Sequence, residues 1–176
     1  MFDKLIDFII KFWEDLLPVI IIPSYEEAVM LRCGKFKKIL YSGMHFKAPF
    51  VDEIIRQHVV TTTLSLPSQS LYTIDKQNIV VKGVIKYKIA DVKTFLLEVF
   101  DATDALSDMT TSIIKNVIMS KSLEDCVDPD IDNLLTKKVR VEARKWGVDV
   151  QQLTLTDIAP IRTYRLISDY YNNLLG

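Results

Sequence analysis

The sequence predicts an α+β fold: a β-rich unit followed by an α/β unit, both behind one N-terminal amphipathic helix. Three observations predict it. Across residues 25–91, short runs of alternating apolar and polar residues are broken by Gly34, Gly43, Pro67 and a polar turn at 75–78. Across 91–147 the apolar period becomes helical, and a last alternating run follows. In residues 2–17 the polar residues, rather than the apolar ones, form the narrow stripe of a helical pattern. The boundaries that follow are 1–23 for the helix and a short apolar segment, 24–90 for the β-rich unit, 91–160 for the α/β unit and 161–176 for a short C-terminal helix.

The 176 residues are 49% hydrophobic and 26% charged, a globular composition long enough to bury a core. A net charge of −1 supplies no general attraction for nucleic acid, and none is expected as a partner. Cys33 and Cys126 form neither a metal-binding spacing nor a disulfide framework, which points to a reducing compartment.

At 100° per residue, Asp3, Lys4, Asp7, Lys11, Glu14 and Asp15 fall within an arc of roughly 120°. The remaining surface, with Phe2, Leu5, Ile6, Ile9, Ile10, Phe12, Trp13, Leu16 and Leu17, is apolar and needs lipid or protein against it. Six charges interrupt the segment, and at about 1.5 Å per residue it is shorter than the roughly 30 Å hydrocarbon core. Acidic residues run through it and no small-residue cleavage site follows, so it is not a secretory signal. An in-plane helix at the lipid–water interface fits best, and a helix buried in an oligomer or under its own domain is the plainer alternative. Two lysines against four acidic residues give it no attraction for anionic lipid.

Pro18 ends the helix, and Val19, Ile20, Ile21 and Ile22 make a short extended piece before Pro23. Ile20 and Ile21 join the candidate lipid contacts. Shallow insertion and an edge strand are both open to this piece. Residues 28–32 read as a buried strand, Gly34 as a turn and 36–41 as the returning strand of a hairpin. Arg32, Lys35, Lys37 and Lys38 decorate that hairpin and are candidates for headgroup contact. Val60, Thr62, Leu64 and Leu66 alternate until Pro67, and 71–74 is another short strand. In 79–89 Ile79, Val81, Ile85, Tyr87 and Ile89 share one face, and Lys82, Lys86 and Lys88 form a solvated face opposite.

Asp91 opens a short helix over 92–100, and Asp101 is expected to cap the next. There Ala105, Met109, Ile113 and Val117, with Leu106, Ile114 and Ile118, form a core stripe. Asp128-Pro129 starts a third helix whose acidic start and basic end (Lys137, Lys138, Arg140, Arg144, Lys145) complement its dipole. Trp146 closes its apolar face and Gly147 reads as its C-terminal cap. Val148, Val150, Leu153 and Leu155 form a strand whose alternation slips at Gln151-Gln152, a bulge signal. After Pro160, Tyr164, Ile167, Tyr170 and Leu174 fall on one side of a helix.

Several strings, in this order, resemble the SPFH/Band 7 family of stomatins, prohibitins, flotillins and HflK/HflC, and most closely its stomatin–HflC branch. They are Tyr25-Glu26-Glu27-Ala28-Val29, Arg32-Cys33-Gly34-Lys35, Gly43-Met44-His45-Phe46-Lys47-Ala48-Pro49-Phe50 and Thr73-Ile74-Asp75-Lys76-Gln77-Asn78-Ile79-Val80-Val81. Tyr87-Lys88-Ile89-Ala90-Asp91-Val92, Ile118-Met119-Ser120-Lys121-Ser122-Leu123-Glu124-Asp125, Trp146-Gly147-Val148-Asp149-Val150 and Thr156-Asp157-Ile158-Ala159-Pro160 complete the set. The resemblance implies a membrane-anchored module of two subdomains that assembles side by side into rings. It carries over no catalytic residue. Relatives in this branch usually have a longer hydrophobic anchor before the module and a long coiled coil after it. Neither pattern is read here, which leaves a flat ring, a small oligomer or a subunit capping another assembly open beside a full closed cage.

His45 and His58 lack a metal or triad spacing, the five glycines form no phosphate-cradling loop, and Cys33 is expected as a small core residue within a strand. The expectation is a non-enzymatic scaffold without cofactor or metal, monotopic or peripheral on the cytoplasmic face of a membrane. Its partners would be lipid and many copies of itself, as a ring-like oligomer organising a membrane microdomain. The alternative is a regulatory adaptor docked on a membrane protease or another integral membrane protein.

Overall fold

The computed structural model describes residues 18–161. The 2–17 helix and the C-terminal helix expected over 161–176 therefore lie outside the described residues, except for Ile161.

Strand β1 (Val19–Ile22) pairs antiparallel with β4 (Gly43–Phe46) as a two-stranded ribbon. Strands β2 (Glu26–Arg32), β3 (Lys35–Leu40) and β5 (Asp52–His58) make an antiparallel sheet in the order β3-β2-β5. Ile22 from the ribbon, Ala28 and Met30 from β2 and Leu40 from β3 are buried together, with Ile20 and Ile54 packed against them. This small core locks ribbon and sheet face to face. The extended piece between the two prolines is thus a paired strand.

The hairpin between β2 and β3 turns on two residues with positive φ, Cys33 at 50° and Gly34 at 74°. A two-residue hairpin loop needs that sign at both positions when its twist is to match the strands. Cys33 is therefore an exposed turn residue, not the core residue within a strand that the sequence suggested.

The larger unit is centred on β8 (Asn78–Ile89), whose buried residues are those of the expected apolar face plus Gly83. Short strands β6 (Thr62–Ser65) and β7 (Gln69–Tyr72) pair with opposite halves of β8 along one edge. Strand β9 (Val148–Pro160) pairs along the other edge for the full length. The β8–β9 register shifts twice. One shift leaves Gln151 unopposed, where the sequence alternation slips, and the other leaves Thr156 unopposed.

Helix α1 (Val92–Leu97) begins at Asp91, whose carboxylate accepts from the Lys93 and Thr94 backbone N–H groups. It stops at Leu97, three residues short of the expected end. Helix α2 (Ala102–Ile118) follows Asp101, but Asp101 makes no side-chain cap bond because its backbone is left-handed. The expected cap is corrected on that ground: the cap residue needs extended dihedrals to aim its oxygen at the first turn. Helix α3 (Leu123–Val127), missed in the sequence, carries a reciprocal capping box between Ser122 and Asp125. Helix α4 (Asp130–Ala143) runs through a 3-10 turn (Arg144–Trp146) to Gly147, whose φ of 74° makes it the expected C-terminal cap.

Side chains of α4 cover the free edge of β9. The buried Thr136 hydroxyl donates to the Leu153 carbonyl at 3.2 Å and accepts from the Leu153 N–H at 2.9 Å. Asp132 accepts from the Leu155 N–H, and Arg140 donates to the carbonyls of Val150 and Gln151 at the bulge. An open edge invites pairing with another chain, and this one is closed by its own helix. The core between sheet and helices takes Ile79, Ile85 and Leu153 from the strands and Leu106, Ile114, Ile118, Leu135 and Val139 from the helices. Val29 joins it from β2, with Leu31 packed against it, and these tie the smaller sheet to the larger unit.

Candidate functional site

In an antiparallel pair, residues directly opposite share a face. The β1–β4 register pairs Ile20 with His45 and Ile22 with Gly43 on the face toward the small core. It pairs Val19 with Phe46 and Ile21 with Met44 on the other face, which has no covering layer among the described residues. Ile21 is 68% exposed, Met44 67% and Phe46 72%. Phe50, in the loop between β4 and β5, is 82% exposed and sits at φ 65°, a left-handed backbone that is unusual for a bulky side chain. Ile21, Met44 and Phe46 thus share one bare face of the ribbon, and Phe50 lines a groove with Ile20 and Ile21, so that these four large apolar side chains form an apolar pole. They stand where residues 1–17 join the fold, since the Lys47 N–H donates to the Pro18 carbonyl at 2.8 Å.

Of the residues singled out from sequence for lipid contact, Phe2, Leu5, Ile6, Ile9, Ile10, Phe12, Trp13, Leu16 and Leu17 lie outside the described residues. Ile21 is on the exposed face, and Ile20 is half-buried on the small core. Met44, Phe46 and Phe50 were not singled out. Their signal was nonlocal, because only pairing with β1 shows which face of a four-residue strand is left bare.

The proposed headgroup cations are not equivalent. Arg32 grips Asp52 with two hydrogen bonds, Nε to Oδ1 at 2.6 Å and an Nη to Oδ2 at 2.8 Å. The bidentate fork occupies its main donors. Asp52 also accepts from the Ala48 N–H at 2.7 Å and so fixes the loop that carries Phe50. The Arg32 hydrogen bonds and the Ala48 N–H hold the Asp52 carboxyl well below the ordinary carboxylate range. Lys35, Lys37 and Lys38 are exposed on β3.

Other reactive side chains are placed structurally. His45 Nε2 lies 2.7 Å from the Tyr41 carbonyl. His58 stands 3.7 Å from Glu26 and 5.7 Å, centroid to centroid, from the Tyr25 ring. Cys126 is buried in the main core, and that burial pushes its thiol pKa up, away from nucleophilic character. Among the described residues no three His, Cys, Asp or Glu side chains come together as a metal site. No helix among them is long and apolar enough to cross a membrane.

An α+β module of a two-stranded ribbon, a three-stranded sheet and a four-stranded sheet packed with helices defines a class, and sequence comparison gives its membership. A sequence model of the SPFH domain / Band 7 family matches residues 20–166, and the chain belongs to that family. It is stomatin-like. It is 22% identical to mouse stomatin over 172 residues, 95% of this chain and 60% of stomatin. Identity to mouse stomatin-like protein 3 is 25% over 150 residues, 82% of this chain and 52% of that protein. An uncharacterized protein of Methanocaldococcus jannaschii is 25% identical over 144 residues, 81% of this chain and 72% of its own length. Against the two mouse proteins, the matched region is between half and two thirds of the relative's length.

Proposed function

We propose that this protein is a non-enzymatic membrane scaffold that attaches to one leaflet as a monotopic or peripheral protein and self-assembles into a ring-like oligomer. The observation that carries the reading is the apolar pole of Ile21, Met44, Phe46 and Phe50 beside the junction with the apolar 2–17 segment. Burying such side chains is worth about 25 cal/mol per Å² removed from water, so an uncovered cluster of four favours a lipid or protein cover. Copies linked side by side would add their modest footholds into avidity, and the assembly would organise the membrane patch beneath it. Stomatin-like family membership supports this reading.

Its test is flotation of the full chain with phosphatidylcholine vesicles. Wild type floats, and the Ile9→Asp/Phe12→Asp and Phe46→Asp/Phe50→Asp variants stay at the bottom with unchanged circular dichroism. Continued flotation of both variants would overturn the membrane assignment. Light scattering of protein gently extracted from membranes tests assembly: many copies are expected, and a monomer or a stoichiometric complex with one integral protein would replace the scaffold by an adaptor.

A further inference from the structure

Beside the apolar pole runs an open groove of about 920 Å³ between the ribbon and β5. Ile20, Ile21, Pro49 and Phe50 wall it, and Lys47 and Arg56 stand on its lining. Neither cation forms a salt bridge or a side-chain hydrogen bond among the described residues. The two carboxylates that border the groove do not cancel them. Asp52 is held by Arg32 and by the Ala48 N–H, with its side chain fully enclosed. Glu53 is paired in register with Leu31, which packs toward the main core. Strand alternation therefore turns Glu53 to the face opposite Ile54 and Arg56.

We propose that this groove is an anionic phospholipid site in which Lys47 and Arg56 meet the net negative charge of the headgroup while Ile20, Ile21, Pro49 and Phe50 contact the acyl chains. The inference rests on the membrane reading and adds a ligand class to it. Charge and polarity select that occupant: two uncompensated cations at the edge of an apolar pole match a molecule that is anionic at one end and apolar at the other. It also supplies what the 2–17 segment lacks, since that segment carries two lysines against four acidic residues. Headgroup recognition thereby moves from Arg32, whose fork is engaged, to two cations that no local pattern groups together. They are nine residues apart on different elements.

The test is flotation of the full chain on vesicles of phosphatidylcholine alone and on vesicles with one fifth phosphatidylserine, for wild type, Lys47→Gln/Arg56→Gln and the control Lys82→Gln/Lys88→Gln. Each basic residue near an anionic surface is worth about fivefold in affinity, so wild type should prefer the anionic vesicles and the groove variant should lose on the order of 25-fold of that preference. The control variant should keep it, and salt should reduce it in wild type. Binding to phosphatidylcholine alone should be the same for all three proteins. An anionic preference equal in wild type and groove variant, or no preference in wild type, overturns the lipid site while leaving the membrane reading in place. Failure of wild type to float on either vesicle overturns the membrane reading itself. A Lys47→Arg/Arg56→Lys exchange, which keeps both charges, should retain the preference, and its loss would overturn the assignment of the preference to these two charges.

Discussion

Replacing Gly147 by alanine should damage this fold far more than the same change at Gly34, although the two glycines share a φ of 74°. Any L-residue held there gives up roughly 1–2 kcal/mol to left-handed strain. At Gly34 that is the whole effect, because nothing lies within 4 Å of an added Cβ. At Gly147 the new carbon would lie 2.5 Å from the Asp91 carbonyl oxygen and 3.1 Å from Asp91 Cβ. Asp91 has little freedom to retreat. Its N–H and that of Ala90 donate to the Gly147 carbonyl at 3.0 and 2.8 Å, and its carboxylate caps α1. Overpacking of this kind adds about 1–3 kcal/mol. Gly147→Ala should therefore cost about 2–5 kcal/mol and Gly34→Ala about 1–2 kcal/mol, read as urea midpoints by far-UV circular dichroism at unchanged m-value. Equal costs, to within about 0.5 kcal/mol, would show that packing against Asp91 does not set the identity of residue 147.

Thr136→Val keeps the shape of a buried side chain but leaves the Leu153 N–H and carbonyl without partners, at a cost of about 1–3 kcal/mol. Thr136→Ser keeps the hydroxyl and should cost clearly less, and denaturation of the pair in which valine costs no more than serine would remove the edge-covering argument. Asp52 has a depressed folded-state pKa, so its pairing stabilises the protein above the ordinary aspartate value of about 4 and is lost as pH falls below it. The stability gap between wild type and Asp52→Asn should accordingly be constant from pH 7 down to about 5 and narrow progressively below about 4. A gap unchanged at pH 3 would show that the ion pair is not the source. Loosening the same contact should also free the 48–52 loop, seen as faster amide exchange at Val51, whose N–H donates to the Ala48 carbonyl.

Much of the main unit was legible because its signals are local. The alternation of 79–89, the Asp91 cap, the Gly147 cap and the slip at Gln151-Gln152 each depend on a few adjacent residues, and each appears in the structure. The misses have equally definite causes. Strand β5 has polar or charged residues at most of its positions and only Ile54 and Ile55 to announce it, yet it pairs with all of β2. Cys33 was misplaced because the turn demands two positive-φ residues while glycine marks only one of them. Asp101 occupies a cap position by sequence but not by dihedral angle. Thr136 and Arg140 looked like ordinary helix residues until β9 was laid beside them. The apolar pole was half legible. Ile21 stood out in an apolar string, whereas Met44 and Phe46 take their exposure from a partner strand that is distant in sequence.

The most direct test of the membrane-facing pole is the accessibility of a nitroxide label on vesicle-bound protein, with Cys33 replaced by serine and a single new cysteine introduced as Phe46→Cys or Lys86→Cys. The label at position 46 should be relaxed by lipid-soluble oxygen and shielded from a water-soluble nickel chelate, while the label on the exposed lysine face of β8 should show the reverse. A label at 46 that meets the nickel chelate as freely as the one at 86 would place the pole in water and contradict the membrane reading.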